Sequence, residues 1–261
     1  MNRLKSAAVK TYESGAFEPI LGISLHPGGL GLTARMAGVA GLDHNDRVLE
    51  VACGEGASVS FLAKQCGCQV AGFDLSFKMI SLAKERAVRE GVSKQIDFLL
   101  ADAEKLPFPD AVFDLVMSEC VFSLLPDKES ASREAKRVLK PGGRLVFTDI
   151  ILRQEETAAS PVDSFVLPCV AGAKPVDSYA RILEEIGFRD TYTEDHSKEM
   201  KKIALEIVLK FGSLEAFLEN LVARYSCSRE TKEPSPSAKA LKQLFKGRKL
   251  GYALVATTKP H

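Results

Sequence analysis

Arg47-Val48-Leu49-Glu50-Val51-Ala52-Cys53-Gly54-Glu55-Gly56 is an apolar run that ends in an acid and a Gly-x-Gly turn, with helical periodicity directly behind it. Such a segment reads as a buried strand feeding a helix through a loop whose glycines leave bare backbone open to a ligand. The pattern argues against two common ligands. A dinucleotide fingerprint needs a small residue three positions beyond Gly56, where Val59 stands, and no Gly-Lys-Ser/Thr follows as in a phosphate loop. The turn therefore offers few backbone N–H groups to a phosphate. The Glu50 carboxylate beside it favours a cation such as an ammonium group.

Two more acids end the next two strand-like runs. The run over 69–74 closes on Asp74, placed to accept both hydroxyls of a ribose. The run over 96–100 leads into Ala101-Asp102-Ala103, a carboxylate able to accept from an exocyclic adenine amine. Three acids at three consecutive strand ends, around a glycine turn without a phosphate cradle, describe a nucleoside carrying an amino acid: S-adenosylmethionine. With Gly72-Phe73-Asp74-Leu75-Ser76, Met79, Leu106-Pro107-Phe108, Phe113-Asp114-Leu115-Val116 and Arg137-Val138-Leu139-Lys140-Pro141-Gly142-Gly143, residues 46–151 resemble the class I S-adenosylmethionine-dependent methyltransferases.

That resemblance implies a set of contacts. Glu50 would hold the methionine ammonium, with Ala52, Gly54 and Gly56 along the methionine moiety. Asp74 would take the ribose, Leu75 and Met79 the adenine face, and Asp102 and the Ala103 backbone the adenine edge. Glu119, at the tip of the fourth strand, is a further pocket candidate, as is Tyr12. Ala52 stands where the family usually carries glycine, a small cost unless the backbone there needs positive φ.

The alternation of strand and helix patterns predicts a doubly wound α/β fold: a seven-stranded Rossmann-like sheet, its last strand antiparallel by the same resemblance. Residues 1–45 read as a helical lead-in, with a helix over 30–40, and 46–194 as the cofactor-binding core. Residues 195–248 form a helical insertion between the last two strands, and 249–261 the closing strand. The insertion carries an amphipathic stretch over 197–225 with a break at Phe211-Gly212-Ser213, then a Pro/Ser segment over 233–237. It leaves from the carboxyl end of the sixth strand, so it reads as a cap over the substrate pocket. A dimer face or a purely stabilising helix pair is the plainer reading, since apolar helix faces are generic.

With 261 residues, 46% of them hydrophobic, the chain can fill one large α/β domain. A net charge of +1, with one basic patch over 239–249, argues against a nucleic-acid or anionic-membrane partner. Ser118-Glu119-Cys120-Val121 also lacks the Asn/Asp-Pro-Pro-aromatic pattern that base-amino methylation resembles. Residues 1–8 lack the apolar centre of a secretion signal, and no apolar run approaches spanning length. A cytoplasmic protein is expected, its six cysteines free thiols.

The acceptor is expected to be a small molecule. Cys120, Cys169 and Cys227 follow the fourth, fifth and sixth strands, towards the carboxyl face. Ser118-Glu119-Cys120-Val121, Leu125-Pro126-Asp127-Lys128 and Pro168-Cys169-Val170-Ala171-Gly172-Ala173 are similar to segments of arsenite methyltransferases. That similarity implies Cys120 and Cys169 as soft ligands for trivalent arsenic. That family carries another cysteine before the first strand, and residues 1–46 contain none. The plain alternative is cysteine as a small packing residue. His26 and His196 are the candidate bases near neutral pH, or else partners of helix ends. A quinone or other small-molecule C-, O- or N-methyltransferase, and a module that binds the cofactor without turnover, stay open beside the thiophilic reading.

Overall fold

The computed structural model describes residues 3–153, 168–227 and 250–261. Three short helical segments lead in: α1 (Arg3–Glu13), α2 (Glu18–Leu21) and α3 (Gly29–Ala40). The core then alternates β1 (Arg47–Val51), α4 (Ala57–Cys66), β2 (Gln69–Asp74), α5 (Phe77–Arg89), β3 (Ile96–Leu100), β4 (Phe113–Glu119), α6 (Lys128–Val138) and β5 (Leu139–Leu152). After α7 (Pro168–Ala171) and the two-residue β6 (Lys174–Pro175) come α8 (Val176–Ile186) and β7 (Arg189–Asp195). Helices α9 (Ser197–Phe211) and α10 (Leu214–Cys227) precede β8 (Leu250–Thr258). The Pro/Ser segment and basic patch of the insertion lie outside the described residues.

The main sheet path runs β3-β2-β1-β4-β5-β8-β7, with β6 paired to β5 off that path. Strand β8 is antiparallel to both neighbours and the other pairings are parallel. The expected seven strands are there, and the added β6 is a two-residue ladder on Ile151 and Leu152. Central strands β1 and β4 are almost continuously buried, as strands covered on both faces must be, whereas edge strand β7 is exposed at most positions.

Two cores sandwich the sheet. On one face α6 and α8 pack through Ala131, Ala135, Val138, Tyr179 and Leu183 onto Leu49, Val116 and Phe147. On the other, α3, α4 and α5 pack through Met36, Val59, Leu62 and Ile80 onto Val48, Val70 and Leu115. A third core sits beyond the sheet: Phe17 of the lead-in meets Cys120, Ile150, Cys169 and Tyr252, and Ile207, Phe217 and Leu221 of the α9–α10 pair close it. Gly212, at φ +80, supplies the expected break between those two helices.

Several motif residues turn out to tie the fold together. Arg137 donates to Glu134, Asp110 and the carbonyls of Leu106 and Phe108, clamping the Leu106–Phe108 loop to α6. Asp114 accepts from the Arg47 N–H and from Lys140, tying the start of β1 to β4 and β5. Gly56 caps α4 at φ +74, and a Cβ there would lie 2.9 Å from the Ala83 Cβ of α5. That is a helix-packing reason for glycine, and Gly56 does not line the cavity described below.

Ala52 adopts φ +53, so the condition under which an alanine is costly is met. A left-handed L-residue costs about 1–2 kcal/mol, of which the extra chain entropy of glycine takes back about 0.5–1. Ala52→Gly is therefore expected to stabilise the protein by about 0.5–1 kcal/mol in urea unfolding. A destabilised variant would show that the Ala52 methyl contributes packing worth more than the strain.

Candidate active site

A cavity opens at the carboxyl edge of β1, β2, β3 and β4, where the sheet order reverses between β1 and β4. Ten of the residues singled out from sequence line it: His26, Glu50, Ala52, Gly54, Asp74, Leu75, Met79, Asp102, Ala103 and Glu119. Cys120 and Tyr12 line it as well. The lead-in forms its cover, since Lys5, Ala8, Val9 and Tyr12 of α1 and Ile23, Ser24 and Leu25 beyond α2 face it. No described residue of α9 or α10 does. That pair packs behind the lead-in, with Lys210 donating to the Pro19 carbonyl.

Asp74 organises the floor. Its Oδ2 accepts from the Gly54 N–H at 3.0 Å and its Oδ1 from Ser76 at 2.8 Å, so one side chain fixes both the glycine turn and the entry to α5. Each oxygen keeps a lone pair that a hydroxyl could use. Burial raises its pKa. Ser76 in turn caps α5 by accepting from the Met79 N–H, and its hydroxyl donates to Glu13 of α1.

Asp102 is more committed than expected. Lys5 of α1 donates to both of its oxygens at 2.8 Å, and Glu104 N–H to one of them. Lys5 also pairs with Glu104 at 2.6 Å. An adenine amine would share Asp102 with that ammonium, because each carboxylate oxygen accepts more than one donor. No local pattern announces this contact, since Lys5 lies 97 residues away.

At the opposite end Glu50 and Glu119 meet side chain to side chain, both buried. Burial and the Glu119 charge push the Glu50 carboxyl well above the usual range. Glu119 Oε1 accepts from Thr33 at 2.7 Å, and its Oε2 lies 3.3 Å from His26 Nε2 without hydrogen-bond alignment. Glu50 Oε2 and Glu119 Oε2 are buried and unpartnered. His26 Nδ1 faces the Pro27 carbonyl and Nε2 the Ser58 hydroxyl. Orphaned carboxylate oxygens in a buried pocket suit an ammonium ligand, which is what a methionine moiety brings.

Cys120 follows Glu119 at φ +61, a conformation cysteine rarely adopts. Its thiol meets that of Cys169, and this contact together with burial pushes the Cys120 pKa well up. Cys169 lies behind Cys120 in the third core and does not line the cavity. Tyr12 is half-buried beside both, its phenol raised by desolvation. Asp149, which burial raises to about 6, accepts from the Ser123 and Ile150 N–H groups and so holds the turn that carries Leu124 and Leu125. No motif signalled Asp149.

His196 is placed elsewhere. It stands between edge strand β7 and α9, buried, with Nε2 3.0 Å from Glu194, and β5 and β8 separate that edge from the cavity strands. It does not line the cavity. The end of β7 lies at the level of the carboxyl edge, but the sheet order puts β7 three strands from β4.

The Methyltransferase domain family profile matches residues 49–147. Methyltransferase GfsG of Streptomyces halstedii is 30% identical over 218 residues, covering 82% of this chain and 74% of the relative. The 27-O-demethylrifamycin SV methyltransferase of Amycolatopsis mediterranei is 30% identical over 241 residues, 88% and 83% of the two chains. The arsenite methyltransferase of Halobacterium salinarum is 33% identical over 156 residues, 57% of this chain and 39% of that one. Among solved structures, the [4+2]-cyclase SpnF superposes with TM-score 0.69 at 26% identity, covering 88% and 80%. The chain belongs to the class I S-adenosylmethionine-dependent methyltransferases, and its cofactor is S-adenosylmethionine.

We propose that Asp74 accepts from both ribose hydroxyls, so that removing it would cost two charge-assisted hydrogen bonds, each about 1.5–3 kcal/mol. Asp74→Ala is expected to weaken S-adenosylmethionine binding at least ~100-fold by calorimetry. Unchanged affinity would take Asp74 out of the cofactor site.

Proposed function

We propose that this methyltransferase acts on an uncharged, largely apolar small molecule bound at the Cys120 end of the cavity. The makeup of that end carries the reading. Tyr12, Cys120, Val121, Leu124 and Leu125 line it, with Ala8 and Val9 of α1. Among the described residues Lys5 is the one lysine or arginine lining the cavity, and Asp102 and Glu104 engage it. A phosphate- or carboxylate-bearing acceptor would find no free cation.

The bound cofactor supplies a methyl group made electrophilic by its sulfonium. The chain's own contribution is placement: Glu50 holds the methionine moiety and Asp74 the ribose of the cofactor, and α1 covers the site and excludes water. His26 is the base for an acceptor that must lose a proton, because its imidazole lines the cavity with Nδ1 turned to the Pro27 carbonyl and Nε2 beside Ser58 and Glu119. The α9–α10 pair acts as a cap at one remove, buttressing the lead-in through the third core. A cytoplasmic setting belongs to the same reading, since Cys53, Cys66, Cys68, Cys120 and Cys169 are free.

A second reading has its own support. The Cys120–Cys169 contact offers two soft sulfurs, one lining the cavity and one directly behind it, suited to a thiophilic acceptor such as trivalent arsenic. Bond formation from protonated thiols releases water from the arsenic hydroxide, so the raised Cys120 pKa is no obstacle.

Formation of S-adenosylhomocysteine separates the two. Uncharged aromatic or polyketide-like acceptors should stimulate it, and phosphorylated amino alcohols should not. Selective turnover of charged acceptors would overturn the first reading. Stimulation by trivalent arsenic that Cys120→Ser removes, with cofactor affinity within about twofold, would establish the second instead.

A further inference from the structure

We infer that Glu50 and Glu119 form one acid pair that shares a proton in the free enzyme, and that the cofactor's methionine ammonium displaces it on binding. The inference rests on the cofactor assignment and adds a second carboxylate and a proton to it. Its basis is geometric. Both side chains are buried, at 2% and 9% exposure, and both line the same cavity. They touch, yet each has an oxygen with no donor. Carboxylates only accept, so two of them in contact remain unsatisfied until one carries a proton. One shared proton satisfies an oxygen on each partner at once.

Two ionised carboxylates at this distance, in a buried site, repel too strongly to persist without a cation. Among the described residues no lysine or arginine faces the pair. The groups around it are His26 ahead of α3, Thr33 on α3, Cys53 after β1, and Tyr252 on β8, with Asp74 beyond Cys53. Burial with Glu50 and Asp74 as neighbours keeps the Cys53 thiol protonated, and Tyr252 likewise stays a neutral phenol. The missing positive charge is therefore the ligand's own. Its arrival makes the second ionisation favourable, and the balance is simple: a singly protonated pair plus an ammonium becomes two carboxylates, an ammonium and a proton in solvent.

The sign follows from linkage. The free enzyme binds a proton that the complex does not, so affinity falls as pH drops below the range in which the free pair titrates. The loss approaches tenfold per pH unit. The measurement belongs between about pH 5 and 7, where an α-ammonium stays charged.

Calorimetry with S-adenosylhomocysteine, in two buffers of different ionisation enthalpy, counts the protons released. 5′-Methylthioadenosine, which keeps the nucleoside and lacks the amino acid, serves as the control ligand. The intact enzyme should release close to one proton with the first and none with the second. Glu119→Gln should release none with either and lose its pH dependence, because an amide donor satisfies Glu50 without a proton. His26→Asn should still release one. The idea fails if affinity is flat over this pH range, if methylthioadenosine also releases a proton, or if the release survives Glu119→Gln. An enzyme that binds neither ligand at any pH would overturn the cofactor assignment and this inference with it.

Discussion

The site depends on one carboxylate, Asp74. Strands β1 and β2 are parallel neighbours, and the chain must leave both at the same edge without the two loops colliding. Asp74 accepts from Gly54 in one loop and Ser76 in the other, so a single side chain sets the spacing between the glycine turn and helix α5. The Ser76 cap and its bond to Glu13 then carry that geometry out to α1, the cover of the cavity. Loop position, helix entry and cover are thus coupled through hydrogen bonds that all begin at one residue.

The α/β half of the molecule was legible because its signals are local. Buried runs such as 48–51 and 113–119 announce strands, and acids at their ends mark the edge where ligands bind. The break at Gly212 was legible for the same reason. What pattern could not give is who crosses space to meet whom. Lys5 reaches Asp102 over 97 residues, and Asp149 reaches Ser123 across the sheet edge. Periodicity carries no information about either pair. His196 shows the converse limit, since a residue can be assigned to the correct face of a sheet while lateral strand order decides its distance from the site. Gly56 was assigned to the ligand because glycine permits close approach, and the neighbour that approaches is Ala83 of α5.

The third core explains how a site on an open sheet edge acquires walls. An α/β sandwich buries its own faces and leaves the carboxyl edge to solvent. Here Phe17, Leu32, Cys120, Cys169, Phe217 and Tyr252 come from five separate stretches of chain and form an apolar cluster above that edge. Lead-in and insertion stabilise each other there. The sequence suggested the insertion as the pocket wall, but among the described residues the lead-in has that position and α9 and α10 support it from behind.

Backbone strain marks where these demands conflict. Two non-glycine residues in the left-handed region, Ala52 and Cys120, stand at the ends of adjacent strands β1 and β4. Each follows closely on a buried acid, Glu50 in one case and Glu119 in the other. A left-handed residue turns the chain sharply away from the strand direction, which opens a gap between the two loops at the reversal in strand order. The two acids remain at the tips of their strands, facing that gap. Each turn costs about 1–2 kcal/mol, and burying two acids side by side, which forces one to keep its proton, adds to the cost. A cationic ligand bound at this place relieves the electrostatic part of that cost.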